Sequence, residues 1–204
     1  MRKTWLAMSC ASVLAASAAF AADGSIGVYL DDAGTQCQGP ISGPASIGSV
    51  WMTLGGATAG GITGVEFRID NSNQSAYTTS FMVDASANAT IGNPFLGGTN
   101  VAWQSCQTGT GGRVKVGQIL IQENSSADDV TLTVRQHFTP SSVDHPCAAA
   151  VLCDAPVYTM VCIGAMNSDH WRAVMNPTGA INGDCVPVAV EQTTWTQLKS
   201  MYQN

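Results

Sequence analysis

The fold class is decided by one stretch of the chain, Gly61-Ile62-Thr63-Gly64-Val65-Glu66-Phe67-Arg68-Ile69-Asp70. Its apolar residues Val65, Phe67 and Ile69 alternate with glycine or charged residues. Because successive side chains of a strand point to opposite faces, this order separates an apolar face from a charged one. The pattern predicts a half-buried strand of an antiparallel sheet, with the apolar face turned onto a core.

Segments of the same kind recur along the chain, separated by turns rich in Gly, Asn, Asp and Pro. We expect further strands at residues 25–30, 46–54, 76–83, 89–91, 101–104, 113–122, 130–136, 156–163 and 171–175. Residues 55–61 read as a flexible connection, and residues 141–154 as a loop. Many short strands with hardly a helical period predict an all-β fold, an antiparallel β-sandwich of jelly-roll or Ig-like type.

The longest expected strand, residues 113–122, contains a change of phase. Val114 and Val116 share one face, whereas Ile119 and Ile121 share the opposite one. A glycine in a strand at a change of phase is typical of a β-bulge. We therefore expect a bulge at Gly117.

The first 21 residues have the features of an export signal. A basic start at Met1-Arg2-Lys3-Thr4 precedes an apolar run that ends at Ala19-Phe20-Ala21. The run is too short for a membrane anchor, and no later apolar run is long enough to span a bilayer. We expect a signal peptide over residues 1–21, a sandwich domain over 22–189, and a periplasmic, cell-surface or extracellular location.

The end of the chain differs from the rest. Trp195, Leu198 and Tyr202 lie at helical spacing after Thr193 and Thr194, and a threonine can cap a helix. Residues 190–204 are therefore expected to form a short amphipathic C-terminal helix. Its apolar side is expected to pack on its own domain, and packing on a partner is the alternative.

The mature chain is acidic. Removing Arg2 and Lys3 with the signal leaves six basic against 14 acidic residues, a formal charge of −8. With no basic cluster left, nucleic acid and anionic membrane surfaces are disfavoured as partners.

Cysteine usage agrees with export. Without Cys10, an even set of cysteines remains, namely Cys37, Cys106, Cys147, Cys153, Cys162 and Cys185. In an oxidising compartment such a set predicts disulfides that tie down the loops. The sequence leaves about 15 pairings open. Crowding of the last four favours pairs among themselves, with Cys37 bonded to Cys106.

Candidate catalytic histidines are few. His137, His145 and His170 lack the spacing of a zinc site. His145 and His170 each follow an aspartate, but a base also needs a positioned partner, so we interpret both as loop histidines.

Candidate catalytic carboxylates are equally scattered. The glutamates Glu66, Glu123 and Glu191 lie far apart in the sequence, and nothing places two of them in one cleft. We therefore expect no enzymatic activity and assign no catalytic, cofactor-binding or metal-binding residue.

A calcium ion bound by a loop is the one cofactor left open. Oxygen ligands occur at Asp31-Asp32, at Asp128-Asp129 and at residues 70–73. None of these turns has the helix-loop-helix calcium spacing, and acidic turns are common without a metal.

Aromatic side chains are the remaining candidates for ligand binding. Trp51, Trp103 and Trp171 are the tryptophans whose ring faces could stack on a sugar. Trp51 alternates with Val50 and Met52, which predicts an outward orientation. Core packing is the more common role for a tryptophan.

The chain resembles a group of uncharacterised exported bacterial β-sandwich proteins. The resemblance rests on residues 61–68, on Cys153-Asp154-Ala155-Pro156-Val157-Tyr158 and on Asn182-Gly183. The order Gly-x-x-Gly-x-x-Phe at Gly61, Gly64 and Phe67 is similar to cohesin-type and carbohydrate-binding sandwiches. The resemblance implies a sandwich fold and no activity.

Together these observations favour a secreted or cell-surface, non-catalytic binding or structural module whose partner is a protein or a glycan. A self-assembling surface protein is the first alternative, and a carbohydrate-active enzyme is the second. The oligomeric state is left open.

Overall fold

The computed structural model describes residues 23–41, 43–141, 147–154, 156–164 and 172–179. The strands are β1 (Ser25–Tyr29), β2 (Gln38–Gly39), β3 (Ala45–Thr53), β4 (Ile62–Asn71), β5 (Tyr77–Val83), β6 (Ala89–Asn93), β7 (Gly98–Gln107), β8 (Arg113–Glu123), β9 (Val130–Arg135), β10 (Ala149–Leu152), β11 (Met160–Cys162) and β12 (Ala173–Met175). A short 3₁₀ helix, Gly56–Gly60, precedes β4. In the described part of the chain no helix is long and apolar enough to cross a membrane.

The strands form two sheets. The smaller is antiparallel, with the order β1-β3-β8-β5. The larger sheet has eight strands. The first half of β4 pairs with both β7 and β10, and the second half of β4 pairs with β9. One pairing in this sheet, between β12 and β2, is parallel.

Strand β4 carries the alternation that predicted it. Val65, Phe67 and Ile69 are buried, as expected. They belong to one hydrophobic core with Ile26 and Val50 of the smaller sheet. Direct contact between the sheets is made by the edge-on rings of Phe67 and Phe81, whose centroids are 6.0 Å apart. The two sheets therefore pack face to face.

The bulge at Gly117 is confirmed. Pairing of β3 with β8 shifts register between Val50 and Trp51, which lie opposite Gly117 and Lys115. The shift lets Val114 and Val116 before the glycine, and Ile119 and Ile121 after it, all enter the core. Residues 113, 115, 118, 120 and 122 consequently share the outer face of the smaller sheet.

Most expected strands are confirmed, and two expected connections are wrong. The strands expected at 25–30, 46–54, 76–83, 89–91, 101–104, 113–122 and 130–136 match β1, β3, β5, β6, β7, β8 and β9. The strand expected at 156–163 is confirmed only over β11, and the one expected at 171–175 only over β12. Residues 141–154, expected as a loop, contain β10, whose Ala149 and Ala150 are buried. The connection at 55–61 contains the 3₁₀ helix. The signal peptide, the C-terminal helix and residue 171 lie outside the described residues.

Two disulfides join described residues. Cys106 bonds to Cys153 and Cys147 bonds to Cys162, each with Cα atoms 5.6 Å apart. The expected bond between Cys37 and Cys106 is wrong. Gln107 of β7 and Leu152 of β10 both pair with Ile62 of β4, which brings the neighbouring Cys106 and Cys153 together.

Cys37 is also disulfide-bonded. Cys185, the last of the expected set, lies outside the described residues.

Candidate binding surfaces

The outer face of the smaller sheet carries three exposed apolar side chains, Ile47, Met82 and Leu120, here called the apolar patch. Their exposed fractions are 50%, 48% and 36%. Ile47 lies directly opposite Leu120, and Met82 lies opposite Gln118, so the three side chains are neighbours on β3, β8 and β5. An apolar cluster in the middle of a solvent-facing sheet is unusual, because core-facing positions are where apolar residues gain stability.

The other end of the same face is covered by residues 31–36. The Asp32 carboxylate accepts hydrogen bonds from Lys115 and Gln118, and the Arg113 guanidinium donates to the Gly34 carbonyl at 2.8 Å. Gly34 has a left-handed backbone, with φ of 69°, and a Cβ atom there would overlap the Trp51 ring. The loop is thus held against the sheet.

Hydrogen bonding within this loop lowers the pKa of Asp31. Partial burial opposes ionisation of its carboxyl group, but the N–H groups of Gln36 and Thr35 and the Thr35 hydroxyl donate to it. The pKa of Asp32 is lowered by its hydrogen bonds from Lys115 and Gln118. Asp31 and Asp32, which the sequence suggested as possible calcium ligands, therefore hold the loop in place.

Trp51 lies on the outer face as predicted, but its ring is half-buried. Its indole N–H donates to the Ser49 hydroxyl at 3.0 Å, and the Arg113 guanidinium lies 4.8 Å from the ring centroid. With Gly34 against the ring as well, part of the Trp51 ring is covered and not open to a sugar.

Trp103 is not a ligand-facing residue. It is 5% exposed, belongs to the hydrophobic core, and donates its indole N–H to the Ser86 hydroxyl at 3.1 Å. The expectation was wrong because residue 103 shares the inward phase of β7 with Val101. Trp171 lies outside the described residues.

The charged face of β4 is covered rather than open to solvent. Glu66 is 2% exposed, and its carboxylate accepts hydrogen bonds from the Ser141 N–H at 3.0 and 3.1 Å and from the Ser141 hydroxyl. The Phe138 ring lies over the Arg68 guanidinium at 3.8 Å. A half-buried strand would leave the side chain of residue 66 exposed. That prediction is wrong for residue 66, because residues 137–141 fold back across this face of the sheet.

The groups considered for catalysis lie apart. Glu66 is on the larger sheet, whereas Glu123 ends β8 of the smaller sheet. The ring nitrogen Nδ1 of His137 accepts a hydrogen bond from the Thr139 N–H at 3.0 Å, so this histidine is engaged by its own loop. His145, His170 and Glu191 lie outside the described residues. Within the described ranges, no three His, Cys, Asp or Glu side chains are close enough to hold a metal ion.

A shallow depression of about 440 Å³ opens at one end of the sheets, where β8 ends. We call it the end depression. The described residues that line it are Pro40, Ile41, Glu123, Ser126, Asp128, Asn176 and Pro177. The sequence offered no signal for it, because its walls come from connections that are distant along the chain.

The floor of the end depression is built around Asn176. Its side-chain oxygen accepts from the Ile41 N–H at 2.8 Å, and its amide group donates to the Tyr77 hydroxyl at 2.6 Å and to the Ala127 carbonyl at 3.3 Å. Asn176 has a left-handed backbone, with φ of 49°, and its carbonyl accepts from Asp129. Because every polar group of its side chain is engaged, Asn176 forms a fixed floor.

Comparison with known protein families and with curated proteins finds no match. Among solved structures, a cohesin module from a family 33 glycoside hydrolase of Clostridium perfringens is similar, with a TM-score of 0.43 and 7% sequence identity. The alignment covers 76% of this chain and 98% of that module. The neighbour is of the cohesin type named in the sequence resemblance, and at this TM-score it carries no argument about function.

Proposed function

We propose that the mature chain is an exported, non-catalytic β-sandwich module that binds a protein partner through the outer face of its smaller sheet. The observation that carries this proposal is the apolar patch. It lies on β3, β8 and β5, and the side chains beside it, Gln118, Gln122 and Ser80, are polar but uncharged. An exposed face with an apolar centre and a polar border is typical of protein interfaces.

Export is supported by the disulfides and by the signal sequence expected at residues 1–21. Disulfides form and persist in oxidising compartments outside the cytosol. The described chain has two between its own residues, one of which closes 47 residues of chain.

A protein suits the patch better than a glycan does. Sugar binding favours aromatic rings that lie open on a surface, whereas the patch is aliphatic and the half-buried Trp51 ring is in contact with Gly34 and Arg113. Burying the exposed half of an Ile, Leu or Met side chain contributes about 1 kcal/mol. The patch would then contribute about 3 kcal/mol, enough to make its members the main anchors of a modest interface.

The test uses three forms of the mature protein, namely wild type, Leu120→Glu and Leu96→Glu. Leu96, which is 82% exposed between β6 and β7 of the larger sheet, is the matched control. Exported proteins of the source cells are passed over each immobilised form, and the affinity of each retained protein is then measured with purified components by calorimetry.

We expect a partner that binds wild type and Leu96→Glu equally but binds Leu120→Glu at least about tenfold more weakly, a loss of about 1.4 kcal/mol. Partners that bind all three forms alike would contradict the proposal. Glycan binding that survives Leu120→Glu and disappears in Trp51→Ala would replace it with a sugar-binding function.

Self-assembly is a second candidate function, favoured by strand β6. All five of its residues are exposed, and none is charged or proline. Edge strands usually carry charged residues or proline, which prevent pairing with another chain. If β6 pairs with a second copy, wild type will form dimers or larger species in sedimentation at micromolar concentrations, and Ile91→Lys will be monomeric. A wild-type monomer at about 100 μM would argue against this function.

A further inference from the structure

The two edges of the smaller sheet differ in how they are covered. At the β1 edge, the Ile26 N–H donates to the Gly164 carbonyl at 3.2 Å and the Gly164 N–H donates to the Gly24 carbonyl at 2.8 Å. The other edge is strand β5, Tyr77–Val83, which contains neither a charged residue nor a proline. Charged residues and proline are the usual means by which an edge strand prevents pairing with another chain, and β5 lacks both.

Hydrogen bonds at the two ends of β5 show which of its backbone groups face away from β8. The Ala76 carbonyl accepts from the Asn124 N–H at 2.8 Å, and the Asp84 N–H donates to the Val116 carbonyl at 3.0 Å. The register of β5 against β8 is continuous between these two bonds. Because backbone groups alternate in direction along a strand, the even-numbered residues bond to β8 and the odd-numbered residues point outward.

Three outward-pointing residues, Thr79, Phe81 and Val83, have unused backbone groups. The N–H and carbonyl of Tyr77, the first outward-pointing residue, are bonded by the turn that precedes β5. In the described part of the chain, no hydrogen bond reaches the N–H or carbonyl groups of the other three on this side. A row of unpaired donors and acceptors on an edge strand is a template for a further strand.

The side chains at this edge are incompletely covered as well. Phe81 and Val83 pack against the hydrophobic core but are only half-buried, whereas Ile119, opposite Phe81 on β8, is completely buried. On the outer face, Met82 of the apolar patch is 48% exposed. A strand beside β5 would therefore cover apolar side chains on both faces of the sheet.

We propose that the protein partner binds by strand addition and lays an extended segment along the free edge of β5. This inference rests on the proposed function, because Met82 belongs both to this edge and to the apolar patch, and one partner then covers both. The backbone of the segment pairs with Thr79, Phe81 and Val83. Its side chains are apolar on both faces, beside Met82 on the outside and beside the core on the inside. In this mode the main chain provides affinity and the side chains provide specificity.

The experiment uses a model strand, the peptide acetyl-Lys-Val-Val-Thr-Val-Val-Lys-amide. In the control peptide the central Thr-Val is replaced by Pro-Pro, which removes N–H groups from both edges of the peptide. Amide hydrogen exchange of the ¹⁵N-labelled mature protein is followed with and without each peptide. The variant Thr79→Pro removes one outward N–H, and Thr79→Ala, which keeps it, is the matched control. The spectra also report whether each variant is folded.

In the free protein we expect fast exchange at the amides of Thr79, Phe81 and Val83, and slow exchange at the even-numbered amides of β5. Saturating peptide should slow exchange at the three outward amides by at least about tenfold. Thr79→Pro should bind the peptide about fivefold more weakly, as expected for the loss of one hydrogen bond, and Thr79→Ala within about twofold of wild type.

Several results would overturn strand addition at β5: no binding of the peptide, equal binding of the proline peptide, unchanged exchange at the outward amides, or protection at β6 instead. Slow exchange at the outward amides in the free protein would also overturn it, in favour of a second copy if the protection depends on concentration.

The variant Leu120→Glu separates this proposal from the proposed function. Leu120 lies on β8, two strand spacings or about 10 Å from a strand added beyond β5, so the variant should bind the peptide as wild type does. A partner lost in Leu120→Glu, together with no peptide binding to wild type, would refute strand addition alone. Peptide binding without any partner that depends on Leu120 would refute the apolar patch as the anchor.

Discussion

Replacing Gly117 by alanine would place a Cβ atom 2.5 Å from the Met82 carbonyl oxygen and 2.5 Å from the ring of Phe81. The backbone of Gly117 is not in the left-handed region, so the cost is one of space and not of backbone strain. One of the two contacts is with backbone, which gives way less easily than a side chain. Phe81 must therefore move, and with it the edge-on contact to Phe67.

The expected loss of stability follows from these contacts. Overpacking of this kind costs about 1–3 kcal/mol. Weakening the aromatic pair adds about 0.5–1.5 kcal/mol. Replacing glycine by alanine recovers about 0.4–1 kcal/mol by restricting the unfolded chain. The net loss is about 0.5–4 kcal/mol, which lowers Tm by about 1–16 °C for a chain of this size.

The assay is urea unfolding of the mature protein, with Gly60→Ala as the control, since nothing lies within 4 Å of a Cβ atom at residue 60. The control should lie within about 1 kcal/mol of wild type. Adding Phe81→Leu to Gly117→Ala should recover at least about 0.5 kcal/mol in a double-mutant cycle. A Gly117→Ala protein as stable as wild type would refute the close approach of β5 to the bulge.

Two further predictions concern the crosslinks and the Asn176 floor. In the chain-entropy account, replacing Cys106 and Cys153 by alanine costs about 4 kcal/mol and replacing Cys147 and Cys162 about 3 kcal/mol, because the sequence separations are 47 and 15; urea unfolding that gives the opposite order would contradict this. Tyr77→Phe removes the hydroxyl that accepts from Asn176, at a cost of about 1–3 kcal/mol. Because the Tyr77 pKa is raised in the folded protein, its neutral phenol stabilises the fold below about pH 10, and this contribution is lost as the pH rises further. The fall in urea midpoint between pH 8 and pH 10.5 should accordingly be smaller in Tyr77→Phe, and an undiminished fall would show that another group titrates.

Local alternation predicted most strands because each has one face on the core. It predicted β9, whose buried residues recur with a period of two, and β8, in which the same period holds on each side of Gly117. It missed β10, where Ala149 and Ala150 are adjacent and both buried, so no alternation exists. A strand covered on both faces has no polar side, and a run as short as four residues cannot then be told from a loop.

Contacts between distant segments left no such signal. The end depression joins residue 41 to residues 123 and 176, and the disulfide from Cys106 reaches Cys153. These proximities follow from the order of strands in the sheets, which alternation does not specify. The crowding of cysteines along the chain misled the expectation for Cys106, because β7 and β10 both pair with Ile62.

An alternating pattern also divides a strand into two faces without saying what covers each. Glu66 lies on the polar face of β4, yet it is buried because Ser141, 75 residues later, binds its carboxylate. Leu120 is the opposite case. In an unbroken strand it would share the inward phase of Val114 and Val116, and its apolar character would need no other explanation.

The bulge at Gly117 removes that explanation for Leu120. After the register shift the core receives Ile119 and Ile121, and Leu120 faces solvent beside Ile47. Neither residue then contributes core packing, and both carry a risk of association that a polar residue at the same position would avoid. The apolar patch is therefore best explained by a partner that covers it, and the comparison of Leu120→Glu with Leu96→Glu tests that explanation directly.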